Sequence, residues 1–197
     1  CHLNVLLLWS RRRAGGHRAG PLSPHWVRAH GGGCIVSTAR TLKWSWCRFE
    51  TLSPATLYEL LQLRSEVFVV EQNCIFLDLD GVDSVALHVL GREEGGDGAL
   101  LAYARCFLPG AKFTEASIGR VATRPSARGN GLGHALIAES MRGLCHHWGT
   151  QPIRIGAQAH LENYYARHGF ADVGKRYLED GIPHLEMLWT PLTKELN

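Results

Sequence analysis

Apolar positions recur along this chain with two periods. In LKWSWCRF (Leu42 to Phe49) bulky apolar and aromatic residues fall on roughly alternate positions, as in a half-buried strand. The spacing then changes. In TLSPATLYELLQLRSEVFVVEQ, Leu57, Leu60, Leu61 and Phe68 repeat at helical intervals, with Ser53 as N-cap and Pro54 at the first helical position. SVALHVLGR and GALLAYARCFL flank the turn sequence EEGGDG and predict a β-hairpin. SIGRVA is a further strand. From Gly131 to Trp148 the helical period is clearest, with Leu132, Leu136, Ile137, Met141, Leu144, Cys145 and Trp148 on one stripe. PIRIGAQA reads as a strand and LENYYARHGF as a helix closed by Gly169. DVGKRYLE and HLEMLWT read as a last strand pair around DGIPH.

The predicted order is β-α-β-β-β-α-β-α-β-β. Helices and strands mix without strict alternation. That pattern gives a mixed α/β sheet with antiparallel hairpins at its ends, not a doubly wound parallel fold. No internal repeat or second domain is evident.

Composition adds little except at the N-terminus. The 197 residues suit a single domain, and 45% hydrophobic with 20% charged residues is a globular balance. Residues 1–40 hold six arginines (Arg11, Arg12, Arg13, Arg18, Arg28, Arg40) and no Lys, Asp or Glu. The chain's net charge is +3, so the remaining 157 residues are three units negative. Residues 1–41 are therefore set apart as a leader, expected to be disordered, and residues 42–197 as the domain. An acid-free, Arg-rich leader fits a transit peptide in composition, but it lacks periodicity and starts at Cys1, so a segment foreign to the protein is an equal reading. Nucleic-acid binding would rest on that leader alone and is not expected.

Six cysteines without regular spacing read as reduced thiols of a cytoplasmic protein rather than a disulfide framework. CHHW (Cys145 to Trp148) would put its ligands in divergent directions around a helix, so it reads as a helix end rather than a metal site. Asp78, Asp80 and Asp83 in DLDGVD do not complete a calcium loop. No metal is expected. No apolar run reaches the ~20 residues of a membrane helix.

GRVATRPSARGNGLGHALIAES (Gly119 to Ser140) carries the chemistry. A strand runs into an Arg- and Gly-rich turn and then into the amphipathic helix. Helix N-termini present unpartnered N–H groups and partial positive charge, and glycine lets a phosphate approach the backbone. The dinucleotide fingerprint G-x-G-x-x-G fails at His134, and no Walker-type loop is present. From these residues alone, a slack turn and an anion socket both remain open.

Arg128-x-x-Gly131-x-Gly133 after the strand GRVAT resembles the pyrophosphate loop of the GNAT N-acetyltransferase superfamily. NYYARHGF (Asn163 to Phe170) resembles that superfamily's helix ending in Tyr-x-x-x-Gly-Phe. LYELLQLRSEVFVVEQNC, DLDGVD, GAQAHL and EDGIPHLEM are similar to its ElaA-like branch. The resemblance covers about residues 42–192.

The resemblance implies a largely antiparallel sheet splayed between the strands at 116–122 and 152–158, flanked by helices. It implies acetyl-CoA in that opening, with no metal. Backbone groups of Val121 and Thr123 would pair with the pantetheine arm, Val121 or Ala122 would offer an N–H to the oxyanion, and Arg128, Gly129, Asn130, Gly131, Leu132 and Gly133 would hold the pyrophosphate. Arg124 is a further phosphate contact and Asn163 a contact to the cofactor arm. Tyr165 matches the general acid, with Tyr164 beside it the weaker choice. His160, His184, Glu66 and Glu71 are candidates for the base. The acceptor would be a small-molecule or peptidyl amine, and the assembly a monomer or homodimer. A non-catalytic acyl-CoA sensor would keep the loop without needing Tyr165.

Overall fold

A computed structural model describes residues 41–95 and 98–191. Residues 1–40 of the 1–41 leader lie outside them, and with them the expectation of disorder there.

The ten predicted elements are present in the predicted order. Strands β1 (Leu42–Arg48), β2 (Leu87–Glu93), β3 (Leu100–Phe107), β4 (Ala116–Thr123), β5 (Ile153–Gln158), β6 (Phe170–Glu179) and β7 (Ile182–Trp189) form one sheet in the order β1-β2-β3-β4-β5-β7-β6. Every neighbouring pair is antiparallel except β4 and β5, which are parallel and share register only at Ala116↔Ile153 and Ser117↔Arg154. Beyond Ser117 the two strands part. The sheet is thus splayed where the resemblance placed the opening.

Three helices flank it: α1 (Pro54–Arg64), α2 (Leu132–Trp148) and α3 (Glu162–Ala166). Ser53 caps α1, its hydroxyl accepting from the Thr56 N–H at 3.1 Å, with Pro54 in the first turn. The α-helix expected to run past Phe68 instead widens after Arg64 into a π-helical stretch, Ser65–Glu71. The broader turn buries Val67 and Phe68 while leaving Glu66 and Glu71 outward, an arrangement that marks functional sites more often than ordinary ones. The helix expected over LENYYARHGF is also shorter. A 3₁₀ turn (Ala159–Leu161) leads into α3, and Gly169, at φ +85°, ends the segment.

Two apolar layers cover the sheet. On one face, Leu136, Ile137 and Leu144 of α2 and Leu161, Tyr164 and Tyr165 pack on Ala104, Ile118, Ile155 and Met187. Leu132, Met141, Cys145 and Trp148 border this layer, so the whole predicted stripe of α2 faces the core. On the other face, Leu60, Leu63, Val67 and Phe68 cover Leu90, Leu100, Tyr103 and Ala122. This second layer covers β2, β3 and β4 but leaves the β5–β7–β6 half of its face to polar side chains. His146 and His147 occupy the last turn of α2, as a helix end would place them. Cys47, Cys74, Cys106 and Cys145 are free thiols. Among the described residues no helix is long and apolar enough to cross a membrane.

Candidate active site

Three features meet at the parting of β4 and β5. The first is the mouth of α2. Gly129 and Gly131 have φ of +94° and +74°, conformations that an L side chain adopts only with strain, and a Cβ on either would meet nothing within 4 Å. Gly131 is the N-cap and makes no side-chain cap bond; the first intrahelical bond is Ala135 N–H to the Gly131 carbonyl at 3.1 Å. The N–H groups of Leu132, Gly133 and His134 precede that bond and have no intrahelical acceptor. Gly129, Asn130 and Gly131 are exposed.

Arg128 does not stand free beside this mouth. Its guanidinium grips Glu71 through two hydrogen bonds of 2.6 and 2.8 Å and donates to the Thr123 carbonyl at 3.0 Å. A predicted anion ligand and a predicted base thus hold each other. Arg124 donates to the Leu100 carbonyl at 3.0 Å and approaches Glu66 at 3.4 Å.

The second feature is the free side of β4. Tyr103 pairs with Ala122 and Arg105 with Gly119, so Ala104 alone faces Arg120 and Val121: a bulge. Arg120 sits there at φ +51°, the left-handed region, which costs a non-glycine residue about 1–3 kcal/mol. The bulge bends β4 where it leaves β5. Val121, Ala122 and Thr123 follow it and are buried.

The third is α3 and the strands around it. Tyr165 is fully buried, edge-on to Tyr164 and Phe170, and its hydroxyl has no hydrogen-bond partner among the described residues. Burial pushes its pKa well up, so it remains a proton donor at neutral pH. Tyr164 is shifted the same way, by burial and then by Tyr165, and stacks 4.4 Å from His134. Asn163 is exposed at the start of the helix.

The base candidates separate by geometry. His160 is exposed, with its pKa lowered by partial burial and by His184. Glu71 is held by Arg128. His184, on β7, is 1% exposed. Its Nδ1 lies 2.8 Å from the Ile182 carbonyl, which can only accept, so Nδ1 carries a proton and in the neutral ring Nε2 is the lone-pair nitrogen. That Nε2 is buried without a hydrogen-bond partner among the described residues, and the ring stacks on Tyr177.

Sequence reasoning did not anticipate the cluster next to this site. Asp78 bridges Arg64 (2.8 Å) and Arg120 (2.6 Å). Asp83 bridges Arg64 (2.7 Å) and Arg105 (2.9 Å). Asp80 takes both terminal nitrogens of Arg105, at 2.8 and 2.6 Å. The three arginines are 1% exposed or less. Burial opposes ionisation of Asp80, but Arg105 and Arg120 outweigh it and hold the carboxyl well below the usual range; Asp83 is lowered in the same way by Arg64 and Arg105. The signal was legible as Arg105 and Arg120 inside otherwise apolar strands, matched by three aspartates in DLDGVD.

Known proteins share this fold. Residues 108–191 match the acetyltransferase (GNAT) domain model. The protein ElaA of Escherichia coli is 41% identical over 148 residues, spanning 74% of this chain and 95% of ElaA. The crystal structure of E. coli ElaA superposes with a TM-score of 0.68 at 40% identity, over 76% of this chain and 99% of that one. An acyl-CoA N-acyltransferase from Pseudomonas aeruginosa superposes at 0.71 with 42% identity, over 76% of this chain and all of the other. The glycine-opened helix mouth, the splayed sheet and the buried tyrosine thus sit in a member of the GNAT acetyltransferase superfamily, in the branch that contains ElaA.

Proposed function

We propose that residues 42–197 form an acetyl-CoA-dependent N-acetyltransferase that moves the acetyl group to a primary amine by direct attack. The parting of β4 from β5 after Ser117, on the strand that leads into the glycine-opened start of α2, carries this reading. One edge of β4 is left without a strand partner, and an extended arm can add to it as a further strand. The N–H groups of Leu132, Gly133 and His134 suit a pyrophosphate, and the open space at Gly129 and Gly131 admits it. Acetyl-CoA supplies the activated thioester; the remaining tasks fall to the chain.

His184 Nε2 accepts the proton that the amine gives up on forming the C–N bond. An N–H at Val121 or Ala122, beside the bulge, donates to the oxygen on which charge develops. Tyr165 donates its proton to the departing sulfur, a role suited to a hydroxyl kept protonated by burial. Glu71 is not assigned the base, because Arg128 occupies both of its oxygens.

Thiol release from acetyl-CoA with a panel of primary amines tests the proposal, alongside calorimetric titration with acetyl-CoA. Turnover with at least one amine is expected. Absence of both turnover and binding overturns it.

A further inference from the structure

On β5 and β7 the two faces differ in character. Cross-strand partners share a face, so Ile155 with Met187 and Ala157 with Leu185 point toward α2 and α3, whereas Gly156 with Glu186 and Gln158 with His184 point the other way. Tyr177 of β6 pairs with His184 and lies on that second face. Its hydroxyl rests where a Cβ on Gly156 would be, 2.6 Å away, so Gly156 makes room for it.

This polar face holds a cavity of about 210 Å³, lined by Lys112, Phe113, Lys175, Tyr177, Glu179 and Glu186. It adjoins an open hollow of about 440 Å³ over Glu115 and Arg154. The inner cavity is smaller than a drug-sized site, which suits a compact ligand. Its wall joins the catalytic group directly, since Tyr177 stacks on His184 with ring centroids 5.6 Å apart.

Most lining charges have partners. Arg154 is bidentate to Glu115 at 2.9 and 2.6 Å and reaches Glu186 at 3.0 Å, and Lys175 meets Glu186 at 2.6 Å. Lys112 is different. It lies 5.3 Å over the Phe113 ring and makes no hydrogen bond or ion pair with the described residues. Burial pushes its pKa down to about 7, and the guanidinium groups of Arg120 and Arg105 lower it further, against the opposing pull of Glu179 and Asp80. No carboxylate of the described residues lies within ion-pair distance of Lys112, and a ligand anion would supply that contact. A dianionic phosphate would meet Glu179 and Glu186, whereas a carboxylate brings one negative charge for one ammonium.

We infer that this cavity is the acceptor pocket and that Lys112 recognises a carboxylate, so that the substrate is a small primary amine that also carries a carboxyl group. The carboxylate binds at Lys112 and the amine lies toward His184. The inference rests on the acyl-transfer reading for the identity of the site as an acceptor pocket, but the anion contact can be measured without turnover.

The probes are the common amino acids and, for each, its carboxamide. NMR of the protein carrying ¹³Cε-labelled lysine follows the titration of Lys112 directly. Saturating amino acid should move its midpoint from about 7 toward the ordinary lysine value of about 10.4, and the matching amide should not. In thiol release with acetyl-CoA, amino acids should exceed their amides in kcat/KM by about tenfold, the scale of one charge-assisted contact. Lys112→Met should erase that preference and Lys112→Arg should keep it. A Lys112 midpoint that responds to no amino acid overturns the inference whatever the turnover shows, as does an equal response to acid and amide. A midpoint that moves while no amine yields thiol and acetyl-CoA fails to bind keeps the anion site and overturns the acyl-transfer reading instead.

Discussion

Glu71→Gln is the most informative single change at the helix mouth. In the structure Glu71 competes for the guanidinium that a pyrophosphate would attract. The pair is bidentate at 2.6 and 2.8 Å, with side chains 16% (Arg128) and 29% (Glu71) exposed. Partly exposed ion pairs contribute about 0.2–1 kcal/mol, and the double contact places this one near the upper end, about 1 kcal/mol. Arg128 also keeps its bond to the Thr123 carbonyl, so release from Glu71 frees the guanidinium without unmooring it. If Arg128 exchanges Glu71 for phosphate, removing the carboxylate charge should tighten acetyl-CoA binding by up to about fivefold, the equivalent of 1 kcal/mol. Calorimetric titration with acetyl-CoA, repeated with desulfo-CoA, measures this directly, and kcat measured alongside should stay close to wild type. Unchanged or weaker binding would refute the exchange. A collapse of kcat with binding intact would instead make Glu71 the base and remove His184 from that role.

Tyr165→Phe should reduce kcat by about 10²–10⁴ while acetyl-CoA still binds, with thermal stability held or slightly raised because the lost hydroxyl had no partner among the described residues; an undiminished rate would leave the acid unassigned and favour a non-catalytic acyl-CoA module. His184→Gln should lower kcat/KM by about 10² while acetyl-CoA binding, read by calorimetry, is kept; an undiminished kcat/KM would count against the base role. Asp80→Asn should cost about 3 kcal/mol in urea denaturation, because Arg105 stays buried with half its counter-charge removed. Asp80 and Asp83 titrate below their unfolded values, so their stabilisation is complete above about pH 4 and is lost as pH falls through the lower folded values. The wild-type urea midpoint should therefore fall on acidification, and it should fall less steeply in Asp80→Asn.

Periodicity alone carried the element order, because α2 and the strands each bury one face of a strongly patterned segment. The stripe from Leu132 to Trp148 needed no tertiary information. The π-helical widening at Ser65–Glu71 was not legible, since its cause lies in what Val67 and Phe68 pack against rather than in their own sequence. Gly129 and Gly131 were legible as a special turn, because positive φ selects glycine; the residues alone left a slack turn and a socket both open, and it was the resemblance that pointed to the socket. The Glu71–Arg128 pair joins residues 57 apart in sequence, and no local pattern marks it. The same holds for His184: its sequence shows a histidine, while the fixed tautomer depends on the Ile182 carbonyl at the start of β7. Lys112 showed no sign of its lack of an ion-pair partner, because that depends on Glu186 being taken by Lys175 and Arg154, residues distant in sequence.

The extended segment before Asp83 alternates strictly. Asp78 and Asp80 turn inward to the three arginines, while Ile75, Leu77 and Leu79 are 98%, 76% and 49% exposed. Those aspartates also hold Arg120, the residue at which β4 bends. Asp78 and Asp80 are thus bound to the frame of β4, and the intervening positions bear no such duty. Ile75, Leu77 and Leu79 can be exchanged without touching that frame, but a graft of this loop onto another scaffold must bring its arginines along. The loop therefore combines an outer rim open to redesign with a buried rail that fixes the bend of β4.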